Sequence, residues 1–210
     1  MTGSPLTSEQ IEEMDRVQRR YFNENVDLFE PPLPEGVPER LAATANAGRI
    51  KRGQKVIDVG TGTGILIFYL LKHGPSQIHA CDLAENMLCR VKEKYPRVLT
   101  HLCSVKELPL PDNSLDAAFI NACFSNILDK AASLKNLHRI LRPQGTLVIS
   151  HPLGKEFIVE LKKHTPFYLD LLPEKAEAKE LLDSQGFEMV TFRDDPLFYL
   201  VVAENRKDRL

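Results

Sequence analysis

The residues best placed to do chemistry lie in two stretches. In Val56-Ile57-Asp58-Val59-Gly60-Thr61-Gly62-Thr63-Gly64 a β-rich run passes straight into three glycines at alternate positions, and a helical stretch opens near Ile65. Glycine is needed where the backbone turns tightly, takes positive φ and lets a ligand approach without a β-carbon in the way. Asp82 closes the next β-rich run, 22 residues beyond Gly60. That is near the spacing of about 20 at which an acid accepts charge-assisted hydrogen bonds from a ribose diol. Each feature alone has an ordinary explanation: the loop as a helix-packing turn, Asp82 as a cap for the helix near Ala84. In the order strand, loop, helix and distant acid, they point to a bound nucleoside. Residue 65 is isoleucine where the dinucleotide fingerprint GxGxxG needs glycine, and no GxxxxGK phosphate loop occurs. A nucleoside without pyrophosphate therefore fits best, and a nucleotide-dependent reductase or epimerase fits less well.

Asn121 ends the fourth β-rich run, beside the glycine loop, where the strand order reverses and ligands bind. His151 follows the fifth, ahead of Pro152 and Gly154. An imidazole at that edge suits a general base, or merely a hydrogen bond to a neighbouring loop. The four cysteines, Cys81, Cys89, Cys103 and Cys123, show no CxxC or CxxH pairing. No metal site and no disulfide framework is expected, and the thiols read as reduced and mostly buried. Cys103 and Cys123 should stand three strands apart, roughly 14 Å at the usual strand spacing, beyond the reach of a disulfide.

The elements that must position these groups alternate from Lys55 onward, the pattern of βαβ units on a mainly parallel sheet. Strands are expected at KVIDV, QIHACDL, VLTHLC, LDAAFIN and TLVIS. Helices are expected near Ile65 to His73, Ala84 to Lys94 and Lys130 to Leu141, the last stopped by Arg142, Pro143 and Gly145. A helix near Glu174 to Gln185 then precedes FEMVTFR and LFYLVVAE, which are too close together for a parallel crossover. The expected architecture is a Rossmann-like α/β fold: a seven-stranded, mostly parallel sheet with helices on both faces. Its strand order would be 3-2-1-4-5-7-6, with the last strand antiparallel. Ahead of it, Thr7 to Phe22 places Ile11, Met14, Val17 and Tyr21 at helical spacing behind a Thr7/Gln10 capping box. The segment Glu30 to Glu39 carries four prolines and reads as an extended connector. One domain is expected over 1–210, with an N-terminal arm and connector over 1–40 and a core over 41–210.

Twenty-seven basic and 29 acidic residues give a net charge of −2, with no basic footprint for a polyanion, so nucleic acid is not an expected partner. No apolar run reaches the roughly 18 residues that span a bilayer. MTGSPLTSEQ lacks the basic and hydrophobic regions of a leader, so a cytoplasmic location is expected.

VIDVGTGTGIL, HACDLAENML, LPLPDNSLDAAFIN and LHRILRPQGTLVIS, taken together, resemble the successive motifs of class I S-adenosylmethionine-dependent methyltransferases. The branch most resembled includes the ubiquinone and menaquinone biosynthetic enzymes, and the resemblance covers roughly Gly53 to Ala203. It implies S-adenosylmethionine as cofactor and S-adenosylhomocysteine as product. Asp58 would support the cofactor's methionine amino group, and Gly60, Thr61, Gly62 and Gly64 would pack on the methionyl part, with Asn121 near the same end. Asp82 would bind the ribose diol and Leu83 would lie against the adenine. Ser104 and Val105 fill the slot where the family often has an aspartate facing the adenine amino group. Serine there is a departure, able to hydrogen-bond but without charge. Asn121 is followed by Ala122, Cys123 and Phe124 rather than by two prolines and an aromatic, so methylation of base amines is not supported.

An activated sulfonium methyl needs an aligned acceptor and a dry site more than it needs catalytic side chains. The acceptor pocket falls to the N-terminal arm, the loop Ala122 to Asp129 and the segment His151 to Leu172. Apolar PFYLDLL favours a small hydrophobic or aromatic acceptor, with Tyr21, Phe22 and Phe29 as a lid or a staple onto the core. A protein methyltransferase and a non-catalytic cofactor-binding regulatory or partner subunit are the other readings, and the oligomeric state is left open.

Overall fold

A computed structural model describes residues 7–207. The first six residues of the stretch read for a leader lie outside the described residues. The chain opens with helix α1, Ser8–Glu24, behind the Thr7/Gln10 capping box expected from sequence. A short 3-10 turn at Val26–Phe29 leads to helix α2, Val37–Ala47. The expected proline-rich connector thus gives way to helix before Glu39. Pro38 sits in the first turn, where the missing amide has no intrahelical acceptor and the fixed φ already suits a helix.

The alternating units follow as β1 Lys55–Val59, α3 Ile65–Leu71, β2 Gln77–Asp82, α4 Glu85–Lys94, β3 Leu99–Leu102 and β4 Leu115–Asn121. Next come α5 Lys130–Ile140, β5 Leu141–His151, α6 Gly154–Leu161, α7 Lys175–Ser184, β6 Phe187–Asp195 and β7 Phe198–Asn205. They build a seven-stranded sheet in the order β3-β2-β1-β4-β5-β7-β6. β1 to β5 pair in parallel, and β7 runs antiparallel to both β5 and β6. Order and direction agree with the expectation. Two details differ: β5 begins as soon as α5 ends, with a register shift opposite Leu115 and Ala117, and α6 was not expected.

The two-residue period of each strand feeds two cores. Ile57, Ala118, Ile120, Leu147 and Ile149 face α5 and α7 through Leu134, Leu137 and Leu182. Val56, Ala80, Ala117, Phe119 and Val148 face α2 and α3 through Leu41, Leu66 and Leu70. A sheet covered on both faces reads as near-continuous apolar runs, as these strands do. Phe119 is fully buried, which contributes about 1.5–3 kcal/mol by removal of its ring from water. α2 ends against that ring at Gly48, where a β-carbon would lie 2.2 Å from Phe119 Cζ. The outcome is a rigid sheet whose β1, β2 and β4 carboxyl ends stand side by side.

Candidate active site

β1 delivers Asp58 and runs into a loop whose glycines all adopt positive φ, 60° at Gly60, 53° at Gly62 and 82° at Gly64. A β-carbon on Gly62 would meet nothing within 4 Å, so the loop leaves room for a ligand at that residue. Thr61 donates its hydroxyl to Asp58 Oδ2 at 2.7 Å, and the Thr61 amide donates to the Cys81 carbonyl at 3.1 Å. Asp58 is 2% exposed. Burial pushes its carboxyl up to about 7, the Thr61 hydrogen bond opposes the rise and nearby Asp82 adds to it.

Asp82, at the end of β2, accepts from the amides of Gly62 and Ala84, each at 2.9 Å. Burial raises its pKa, and the amides of Ala84, Gly62 and Leu83 pull it back toward the charged form. The glycine loop and the second-strand acid are therefore joined directly, and Asp82 also holds the amide of Ala84, the residue that precedes α4. At the end of β4, Asn121 Oδ1 accepts from Ser150 Oγ at 2.9 Å. That bond fixes the amide orientation and leaves its NH2 group without a protein acceptor among the described residues.

Asp58, Gly60, Thr61, Gly62, Asp82, Leu83, Ser104, Val105 and Asn121 all line one cavity of about 230 Å³. Gly64 lies behind it, its α-carbon packed toward Tyr95, Ile67 and Val91. His151 does not line the cavity. It is 5% exposed, stacks on Phe157 with ring centroids 5.5 Å apart, and accepts from the Leu153 amide at 3.3 Å. Burial lowers its pKa to about 4. Its place at the strand edge was read correctly, but the ring packs beneath α6 instead of toward a ligand, and this placement gives no support to the expected base.

The thiols also depart from expectation: Cys81 is buried, Cys89 is exposed, and Cys103 and Cys123 are half-buried in the cavity wall. Among the described residues, no group of three or more His, Cys, Asp or Glu side chains is arranged to hold a metal ion, and no helix is long and apolar enough to cross a membrane.

α1 closes the cavity from above through Ile11, Asp15, Gln18 and Phe22. The apolar residues of the helix were legible in the sequence, whereas Asp15 and Gln18 were missed as site residues. Their signal was the spacing 11, 15, 18 and 22, one helical face carrying two polar groups. Gln18 is 2% exposed, and its amide donates to the carbonyls of Asn126 at 3.1 Å and Tyr168 at 3.4 Å. Phe22 packs on Phe29 and Phe167 at 5.4 and 5.3 Å. On the other side Asn86 donates to Asn23 twice, and Thr63 donates to the Phe29 carbonyl at 2.8 Å. The arm thus bridges the glycine loop, α4 and the loop after β4.

The profile of the family described as Methyltransferase domain matches residues 57–149. The chain is 29% identical over 140 residues to the demethylmenaquinone methyltransferase of Chlorobaculum parvum, covering 65% of this chain and 58% of that protein. It is 29% identical over 153 residues to the malonyl-[acyl-carrier protein] O-methyltransferase of Halorhodospira halophila, covering 70% and 51%. The chain therefore spans little more than half the length of these relatives. The solved geranyl diphosphate C-methyltransferase of Streptomyces coelicolor superposes with a TM-score of 0.72 at 14% identity, over 97% of this chain and 100% of that one. At that identity the likeness is one of fold. From β1 to β5 the chain thus resembles the methyltransferase domain, its relatives in sequence include enzymes of menaquinone biosynthesis, and its sheet has the fold of S-adenosylmethionine-dependent methyltransferases.

Proposed function

We propose that the chain transfers the methyl group of S-adenosylmethionine to a small, apolar or aromatic acceptor. The carrying observation is a single cavity with a polar floor, Asp58, Asp82 and Asn121, and a cover that is largely apolar, with Ile11, Phe22, Phe29, Ile127 and Leu128 beside the polar Asp15 and Gln18. The floor suits the groups of the cofactor: a carboxylate at Asp82 for two vicinal hydroxyls, an acid and a primary amide at Asp58 and Asn121 for an amino-acid tail. The open side of Gly62 leaves room beside them.

When bound, the cofactor supplies an electrophilic methyl group. The residues of this chain bind it, hold it and exclude water. Leu83 and Val105 offer apolar contact beyond Asp82, while the arm covers part of the cavity. His151 remains the imidazole proposed from sequence as a base, without access to the cavity in this arrangement. An acceptor that ionises by itself, or one carrying a nucleophilic carbon, makes the smallest demand on such a site. The names of the relatives are compatible with a small acceptor group without choosing one, since a demethylmenaquinone and a malonyl group on an acyl-carrier protein differ in size and charge.

The test is calorimetric binding of S-adenosylmethionine and S-adenosylhomocysteine, followed by transfer of a labelled methyl group to a panel of quinols, phenols, short acyl thioesters and peptides. Micromolar binding and labelling of a small apolar acceptor are expected. Absence of cofactor binding at millimolar concentration would overturn the enzyme reading, and labelling of peptides alone would overturn the acceptor class.

A further inference from the structure

We propose that Asp15, on the N-terminal helix, supplies the carboxylate that accepts from the exocyclic amino group of the adenine, taking over from the uncharged Ser104. The proposal rests on the cofactor reading above and assigns one of its contacts to a residue outside the sheet.

The strand order carries the first step. With a ribose on Asp82 at the end of β2 and an amino-acid tail toward Gly60 and Asn121, the base lies on the other side of Asp82, toward the end of β3. Ser104, Val105 and Lys106 line the cavity at that end. Asp15 lines the same cavity, and its carboxyl feels Lys106 and Glu107, both in the turn that follows β3, as well as Arg19 on its own helix. Asp15 thus shares the cavity, and its electrostatic surroundings, with the turn after β3, where the adenine end would lie.

The second step is the state of that carboxyl. It is partly buried, which raises its pKa, while Lys106 and Arg19 oppose the rise and Glu107 adds to it. Among the described residues it has neither a hydrogen-bond donor nor an ion-pair partner within 4 Å. A carboxylate drawn out of water without a donor costs free energy, and an amino group presented by a ligand at this place would offset that cost.

The third step is specificity. A serine hydroxyl donates or accepts, so Ser104 pairs as readily with a 6-oxo group as with a 6-amino group. An ionised carboxylate only accepts, so it favours the amino group and repels the oxo oxygen. The helix is also held in place for this task. Gln18, one turn along, is bonded to the carbonyls of Asn126 and Tyr168, and Asn23 is bonded to Asn86 on α4. The group is therefore pre-positioned before the ligand arrives.

The experiment compares dissociation constants for S-adenosylhomocysteine and its deaminated counterpart, S-inosylhomocysteine, in the full chain and in the Asp15→Asn, Asp15→Ala and Asp82→Ala variants. The unmodified chain is expected to prefer the amino compound. Asp15→Asn keeps shape, gains a donor for the oxo group, and should weaken the amino compound about tenfold or more while narrowing the preference. Asp15→Ala should narrow it too, with an unchanged thermal midpoint showing that α1 stays folded. Asp82→Ala should weaken both compounds and leave their ratio as it was. If Asp82→Ala behaves so and both Asp15 variants keep the original ratio, the role of Asp15 is overturned and the cofactor reading stands. If the unmodified chain binds neither compound, the cofactor reading itself falls.

Discussion

A β-carbon built on Gly60 would stand 2.0 Å from Cys123 Sγ, so the loop after β1 and the end of β4 touch with no space for a side chain between them. At Gly62, two residues on, the same construction meets nothing within 4 Å. Both residues have positive φ, 60° and 53°, and alanine at either carries about 1–2 kcal/mol of left-handed strain. Only Gly60 adds overlap, a further 1–3 kcal/mol or so if the neighbours shift. Gly60→Ala should therefore lower the urea midpoint clearly more than Gly62→Ala. Gly62→Ala should mainly weaken S-adenosylhomocysteine binding, because its methyl group stands where the loop leaves room for ligand. Equal losses of stability in the two variants would contradict this division.

Asp58 should make stability fall as pH rises. Its carboxyl titrates near 7 in the folded chain, raised mainly by burial, against about 3.9 when unfolded. Between those values the unfolded chain gives up a proton that the folded chain keeps, so the contribution present below about 4 is lost progressively up to about 7. Three units correspond to roughly 4 kcal/mol as an upper figure. Asp58→Asn should gain stability relative to the parent chain at pH 8 and show little gain at pH 4, in denaturant titrations at both values. A gain independent of pH would remove the buried neutral acid from the account.

Gln18 holds two backbone carbonyls from separate loops, at Asn126 and Tyr168. Gln18→Ala leaves both part-buried carbonyls without this donor, which costs about 1 kcal/mol for each lost bond. The loss should be local, because among the described residues α1 is held to α4 and to the neighbouring loops by side-chain contacts such as these. Limited proteolysis should then cut the arm faster while the core fragment persists. Simultaneous loss of arm and core would show that α1 is integral to global stability instead.

The sheet was legible from sequence because its information is local: Ala117 to Ile120 and Leu147 to Ile149 are apolar runs, Val56 to Val59 is broken only by Asp58, the three are followed by asparagine, serine and glycine, and crossover spacing then restricts their order. Gly60 and Asp82 were legible because each marks a strand end, although the contacts they make there, with Cys123 and with the Gly62 amide, come from distant parts of the chain. His151 shows the limit. Its strand end was correctly placed, but whether the ring faces the cavity depends on α6 and Phe157, which pack on it from outside the β5 run. Asp15 and Gln18 were hidden for a related reason, since a polar residue on an arm helix reads as solvated until the surface beneath it is known. Pro38 misled in the other direction, because proline marks a connector or a helix start equally well.

The cavity wall also makes a prediction about thiol chemistry. Cys89 is exposed on α4, while Cys81, Cys103 and Cys123 all line the cavity, Cys81 being fully buried. Burial pushes the pKa values of Cys81, Cys103 and Cys123 upward, and at Cys123 the charges of Asp82 and Asp58 add to the effect. Since the thiolate is the reactive form, these three should be slow and Cys89 fast toward iodoacetamide at neutral pH. Cys103, the least enclosed of the three wall thiols, should follow Cys89 and should be protected by S-adenosylhomocysteine, while Cys89 is unaffected. Peptide mass spectrometry after timed alkylation reads all four sites in one sample. Faster labelling of Cys123 than of Cys89 would mean that the arm opens readily in solution and that the cavity is not the closed space the α1 contacts imply.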